Sequence, residues 1–424
     1  MTSANNFDQQ VEKNYKHNYR VNFLDGTFFW FGTSFIAAQT ILPAFISNIT
    51  INPIIIGMVS AIWASGWYLP QLFTSNWVQS LSLKKIVPVK YGFFTERVPL
   101  LLLPLSAWIF IKSPTAALIL FLILYSWHSI GAGFIAVAWQ DMIAKIIPLK
   151  RRGRFFGITN FGGTFAGIIG AFYSVKIIKN FVFPYNYMIC FSIAGLAVLI
   201  SWVFLSKTKE VEEENIKPRP NNHDYRGLIF KIFKKDKNFT SFILYRVVSL
   251  IGAVGLGFVA IYAKISLHVT DNMIASFTIS MLVGQAISNL LFGWLSDKKG
   301  HKICLEISNF SGFLVLIITL LTTNPIWLYV SFFFMGAYIA GNILSGIAII
   351  FEFSDPDIRP TYIGIASTSG GIVTALTPIF AGWIAKGFGY PPLFVGATLL
   401  WVVGFLMLKF VVQEPRGMKN TILE

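Results

Sequence analysis

The stretch GWLSDKKGHK, Gly293 to Lys302, interrupts an apolar chain with an Asp, three Lys, a His and two Gly within ten residues. On either side the sequence stays apolar for lengths that point to a lipid environment. Apolar runs recur at 21–47, 54–80, 87–111, 115–145, 153–179, 185–206, 239–265, 272–296, 302–323, 326–351, 359–385 and 391–412, twelve in all. A helix rises about 1.5 Å per residue and the hydrocarbon core is about 30 Å thick, so each run can cross it with some tilt. None alternates polar with apolar over the shorter length of a transmembrane β-strand, which leaves helices as the spanning element.

Composition agrees with this reading. Of 424 residues, 55% are hydrophobic and 12% charged, and the mean hydropathy is +0.64, a bilayer composition. The formal charge of +15 would suggest a nucleic-acid partner in a soluble protein; here the placement of the cations argues against one. Lys and Arg gather at the N-terminus, in the loops after the second, fourth, sixth, eighth and tenth spans, and at the C-terminus. The opposite side carries Lys112, Lys176, Lys179, Lys264 and Lys386. The positive-inside rule then places both termini in the cytoplasm. The opening MTSANNFDQQVEKNYKHNYR is too polar for a cleavable signal. Cys190 and Cys304 fall in different spans without metal-type spacing, so no disulfide, metal or cofactor is expected. Neither a nucleotide-binding loop nor a spaced nucleophile–base pair is present, so an enzyme is not expected and any transport draws on gradients.

The longest polar segment starts at Lys207, after the sixth span, and divides the chain. The expected organisation is a cytoplasmic segment 1–20, a six-helix bundle 21–206, a cytoplasmic linker 207–237, a second bundle 238–412 and a tail 413–424. The linker is expected to hold a short interfacial helix around Leu228 to Phe233. A weak internal repeat supports the division: Trp77 aligns with Trp294, and Gly157 with Gly364, which sets Arg152 over Arg359.

Gly293, Leu295, Asp297, Lys298, Gly300 and Lys302 match the pattern G-x-L-x-D-(R/K)-x-G-(R/K)-(R/K), with His301 departing from it. By this loop, the span count and the central linker, the chain resembles the major facilitator superfamily (MFS). The resemblance implies an all-α integral membrane protein: twelve transmembrane helices in two pseudo-symmetric six-helix bundles, working as a monomer in the cell membrane. It also implies that Asp297 docks on the start of span five, near Arg152, Gly153 and Arg154, when the cytoplasmic side is closed. The glycines are expected to let the loop turn tightly, and a carboxylate at a helix N-terminus is favoured there. The earlier copy, NWVQSLSLKK, has Ser80 and Leu83 in place of Asp297 and Gly300, so its half of the latch should be weaker. Arg359 is expected to turn to Glu352, Asp355 or Asp357, and Asp141 is grouped with these gate residues.

Charge inside the membrane is costly and marks functional candidates. Asp25, Arg246, and Glu96 with Arg97 lie about 6, 13 and 15 Å deep by helical rise, and together they sum to zero. Asp25 reads either as a protonatable carboxylate or as an interfacial Asp paired with a Lys. Glu96 and Arg97 are helix neighbours that should point apart and need separate partners, in a structural role ahead of a transport one. Pro99 is expected to free the Thr95 carbonyl and kink the helix. Arg246 either binds an anionic substrate group or neutralises Asp25 or Glu96. His128 reads as hydrogen-bonded and neutral, or as a proton carrier.

By the resemblance, Trp30, Gln39, Trp127, Tyr245, Ser249, Tyr338 and Asn342 join these on cavity helices. Their mix of aromatic and polar groups suits an organic molecule better than a bare ion. The expected function is a secondary active transporter that moves a small organic solute by alternating access, coupled to protons. An efflux pump for amphipathic drugs, or a transporter-like sensor, are the alternatives. Span five lacks the Gly-Pro pattern of proton-driven drug antiporters, since no Pro occurs from Arg151 to Val182.

Overall fold

The computed structural model describes residues 3–38, 41–50, 53–212, 222–269 and 271–418, with helices and no strand among them. In chain order the α-helices are α1 Ser3–Thr33, α2 Ile41–Ser47, α3 Pro53–Tyr68, α4 Pro70–Val78, α5 Val98–Leu102, α6 Pro104–Ile109, α7 Pro114–Ile146, α8 Arg152–Asn180, α9 Tyr185–Ser206, α10 Asn222–Lys235, α11 Lys237–Ala253, α12 Val259–Ser266, α13 Asp271–Lys299, α14 His301–Leu321, α15 Trp327–Phe353, α16 Arg359–Phe388 and α17 Tyr390–Phe410. Among the described residues, ten segments are long and apolar enough to cross a membrane.

The two remaining apolar runs are helical but divided. Pro70 opens α4 directly after Leu69, and Pro99 and Pro104 stand at the starts of α5 and α6, because a proline withholds the backbone donor that a continuing helix needs. Val87–Tyr91 and Phe93–Arg97 wind as π turns. Laid end to end, 53–78 and 87–109 still reach roughly 39 and 35 Å, which is consistent with twelve crossings. The chain is an all-α integral membrane protein.

α1 starts well before its apolar run. The polar turns are held by the chain that follows α9: Asn18 Nδ2 donates to the Lys209 carbonyl at 2.8 Å and Asn18 Oδ1 accepts from the Lys209 amide at 2.8 Å. Asn22 Nδ2 donates to Thr208 Oγ1 at 3.1 Å.

The chain forms two compact units, one of Met1–Pro148 with Gly162–Arg219, the other of Leu149–Phe161 with Pro220–Glu424. The first turns of α8 therefore belong to the second unit and its remainder to the first. In the first unit α1 runs along α9, α3 and α4 run along α7, and α6 touches both α7 and α9. Its core holds Phe45 with the rings of Phe121, Tyr187 and Phe191 at 5.4, 5.2 and 5.1 Å, within the range of favourable aromatic pairs. In the second unit α15 packs on α13 and α14, and α17 on α11 and α14. A Cβ at Gly336 would lie 2.6 Å from the Gln285 amide nitrogen, so α15 approaches α13 this closely because the residue is small. Trp401 is fully buried and meets Tyr338 edge-on at 5.2 Å.

Candidate functional site

In the first unit, Asp25, Glu96, Arg97 and His128 are all buried. α1 presents Asp25 to α9, where its Oδ1 accepts from Ser201 Oγ at 2.5 Å, and it feels the charge of Arg97. Arg97 Nη1 pairs with Glu96 Oε2. Separate partners for the two neighbours were expected, and here the structure differs. They lie in the π turn Phe93–Arg97, where more residues per turn reduce the angle between successive side chains. The Thr95 carbonyl packs where a Cβ of Gly131 would stand, so α7 comes close at a glycine. His128 Nδ1 donates to the Glu96 carbonyl at 3.0 Å. One carboxylate is thus paired with the guanidinium and a second lies within its electrostatic reach, in a region closed to solvent. Asp141 is buried as well, 3.8 Å from Lys84 Nζ.

The other expected residues are more scattered. Trp30 is half exposed and rests on Gly163; Gln39 lies outside the described residues. In the second unit, Arg246 Nη1 donates to the Gly346 carbonyl at 3.1 Å. The Tyr245 hydroxyl accepts from Asn309 Nδ2 at 2.5 Å, and Ser249 Oγ donates to Asn309 Oδ1 at 2.6 Å. Asn342 Nδ2 donates to Ser308 Oγ and to the Tyr338 carbonyl, both at 3.0 Å. Tyr245, Ser249, Tyr338 and Asn342 therefore tie α11 and α15 to α14 by polar contacts.

At the end of α13, Asp297 Oδ2 accepts from the Arg154 amide at 2.9 Å, and the Gly153 amide also donates to the carboxylate. The Arg154 guanidinium is 4.0 Å away and 61% exposed, so water screens it. The backbone amides of the α8 N-terminus, with the helix dipole behind them, are the principal partners. Arg152 lies within electrostatic reach of His301, and Arg359 is buried. The two motif glycines do different work. Gly300 has φ +89°, the left-handed turn expected of it. Gly293 stands inside α13, where a Cβ would lie 2.9 Å from both the Gly153 carbonyl oxygen and the Gly157 Cα; it serves close helix approach rather than a turn. Lys298 Nζ sits 4.1 Å above the Trp294 ring.

Sequence reasoning missed the segments that follow the sixth and twelfth spans. Glu210 and Glu414 each stand four residues past a helix end, Ser206 and Phe410. Glu210 accepts from the amides of Lys84 and Lys85 at 3.0 and 2.7 Å and pairs with Lys145 Nζ at 3.0 Å. Burial pushes the Glu210 carboxyl above the usual range, against the opposing pull of Lys145 and the amides. Glu414 accepts from the Lys302 amide at 2.9 Å, while the Lys302 ammonium donates to the Lys409 carbonyl at 3.1 Å. Arg416 donates to the Asp297 carbonyl at 3.0 Å and, through Nε and Nη2, to Glu352 Oε1 at 3.0 and 2.7 Å. His301, the departure from the signature, is fully buried: Nδ1 is 3.1 Å from Ser345 Oγ and Nε2 is 3.8 Å from Glu352. The recurrence of Glu at the same offset after both spans was the available signal.

This architecture, with ten segments among the described residues long and apolar enough to cross a membrane, charges buried along them and a carboxylate docked on a helix start, is that of a polytopic membrane protein of the transporter class. The chain belongs to the Major Facilitator Superfamily, whose family model matches residues 24–266 and 242–423. It is 25% identical to an uncharacterized MFS-type transporter of Methanocaldococcus jannaschii, over 95% of this chain and 96% of the relative. It is 22% identical to multidrug resistance protein 2 of Bacillus subtilis, over 85% and 87% of the two chains. The E. coli fucose:proton symporter has a similar fold, with a TM-score of 0.69 at 15% identity over 93% of this chain and 100% of that one.

Proposed function

We propose that this chain is a secondary active transporter that moves a small organic solute by alternating access and is coupled to protons. The observation that carries the reading is the set of Asp25, Glu96 and Arg97, all buried: one guanidinium paired with Glu96 and within electrostatic reach of a second carboxylate, Asp25. A net charge held at that depth costs several kcal/mol, so one carboxylate takes up a proton in one state of the cycle and releases it in another. Asp25 is the assigned carrier, because Glu96 is paired directly with Arg97 and the hydroxyl of Ser201 serves either form of Asp25. His128, bonded to a backbone carbonyl, holds the Glu96 turn in place.

Asp297 on the α8 amides is the assigned gate contact, made in one conformation and broken in the other. Arg416 and Glu414 fix the loop that carries it. On the distribution of Lys and Arg, both termini are cytoplasmic; on the family resemblance, the protein works as a monomer in the cell membrane. The likeness to multidrug resistance protein 2 of Bacillus subtilis favours a second reading, efflux of amphipathic compounds by the same cycle.

The test starts from a thermal-shift screen of organic anions, other metabolites and drugs on the purified protein, followed by flux of each hit in proteoliposomes. Flux that accelerates several-fold under an imposed pH gradient supports the reading. Binding without flux makes the protein a sensor, and flux indifferent to the gradient removes the proton.

A further inference from the structure

We propose that α10 is an anchor for anionic lipid, with Arg226, Lys231, Lys234 and Lys235 holding the phosphates of anionic headgroups while Phe230 enters the membrane interface. The helix reads NHDYRGLIFKIFKK from Asn222, with these four cations and Asp224 as its one acid. Arg226, Phe230 and Lys234 recur every four residues and so share one stripe. All three are exposed, Phe230 to 76%, while Tyr225 and Ile232 turn inward and are buried.

The position of α10 is set by its last turn. Asp236, the single residue between α10 and α11, accepts from the Phe239 amide at 2.8 Å and from the Tyr362 hydroxyl at 2.8 Å. Thr240 Oγ1 donates back to the Phe233 carbonyl at 2.9 Å. α11 begins the membrane-length segment Lys237–Phe258 directly after this corner, so α10 is held at headgroup level. An aromatic side chain flanked by cations, presented outward at that level, matches a negatively charged lipid surface in both charge and polarity. α10 takes this position wherever α11 enters the membrane, whatever the transported solute and the coupling ion.

The test uses the full-length protein in mixed micelles of phosphatidylglycerol and phosphatidylcholine, with retained lipid counted by native mass spectrometry. The wild type should retain phosphatidylglycerol in preference. Each cation near the surface contributes roughly fivefold, so Arg226→Gln with Lys234→Gln should lower that preference by about twenty-fivefold. Both side chains are exposed, so thermal unfolding should stay at the wild-type value. The control Lys176→Gln with Lys179→Gln, on α8, should leave the preference unchanged. An unchanged preference in the α10 variant, or an equal loss in the control, overturns the proposal. Displacement of the bound lipid by soluble glycerol phosphate at matching concentration would also overturn it, because the site would then read a free anion rather than a membrane.

Discussion

At Asp297 two kinds of partner compete, and exposure decides between them. The Arg154 guanidinium is mostly in water and contributes about 0–1 kcal/mol; the amide of the same residue is fixed by the helix and accepts no substitute. Asp297→Asn should therefore weaken the contact by roughly 1.5–3 kcal/mol, and Arg154→Ala should leave it nearly intact. Hydrogen exchange of the peptide covering 149–161 reads this directly: faster exchange in the Asn variant and wild-type exchange in the Ala variant are expected, and the reverse order would contradict the assignment. Arg416 is the second critical side chain, since it holds buried Glu352. Arg416→Ala should cost roughly 1.5–3 kcal/mol, seen as a lowered unfolding temperature. Glu210 carries a pH signature. Its carboxyl is held above the usual Glu range, so the folded state binds that proton more tightly than the unfolded chain. Its contribution is then full at pH below the ordinary Glu value and declines as pH rises through the folded value. The unfolding temperature of the wild type minus that of Glu210→Gln should fall across that interval; a rising difference would show that Lys145 outweighs burial.

The helical elements were legible where length and polarity alone decide them. Twelve apolar runs need no tertiary information, and the start of α5 at Pro99 follows from the missing donor. The π turns before it do not follow, because a wider turn is stabilised by what packs against it, here α7 at Gly131. That is why pairing of Glu96 with Arg97 could not be read from sequence neighbours. The polar start of α1 was equally hidden, since its helix depends on Asn18 and Asn22 meeting the chain after α9. The signature glycines were legible as a motif, but Gly293 fills a helix crossing with α8 rather than a turn. Gly293→Ala should force α13 and α8 apart at a cost of about 1–3 kcal/mol, with the same rise in exchange at 149–161 as Asp297→Asn. Unchanged exchange in the Ala variant would show that the crossing has slack.

For the whole molecule, family membership rests on matches that extend over nearly the entire chain, and the signature loop, the span count and the central linker pointed there. The substrate is another matter, because it is set by side chains whose neighbours only the folded protein brings together. Tyr245, Ser249 and Asn342 were singled out as cavity residues, and each is already engaged with α14. Charge was read more securely, since burying it is costly wherever it occurs. The zero-sum set of four became, within the first unit, two buried carboxylates against one buried guanidinium, and that imbalance is what a coupling proton would correct. The most direct measurement records solute and proton movement together, in proteoliposomes holding a pH-sensitive dye and a solute identified by the binding screen. The account predicts that solute entry through the wild type moves protons with it, while Asp25→Asn still exchanges solute across the membrane but moves none. Proton movement undiminished in Asp25→Asn, or solute transport by the wild type with no proton movement at all, would contradict it.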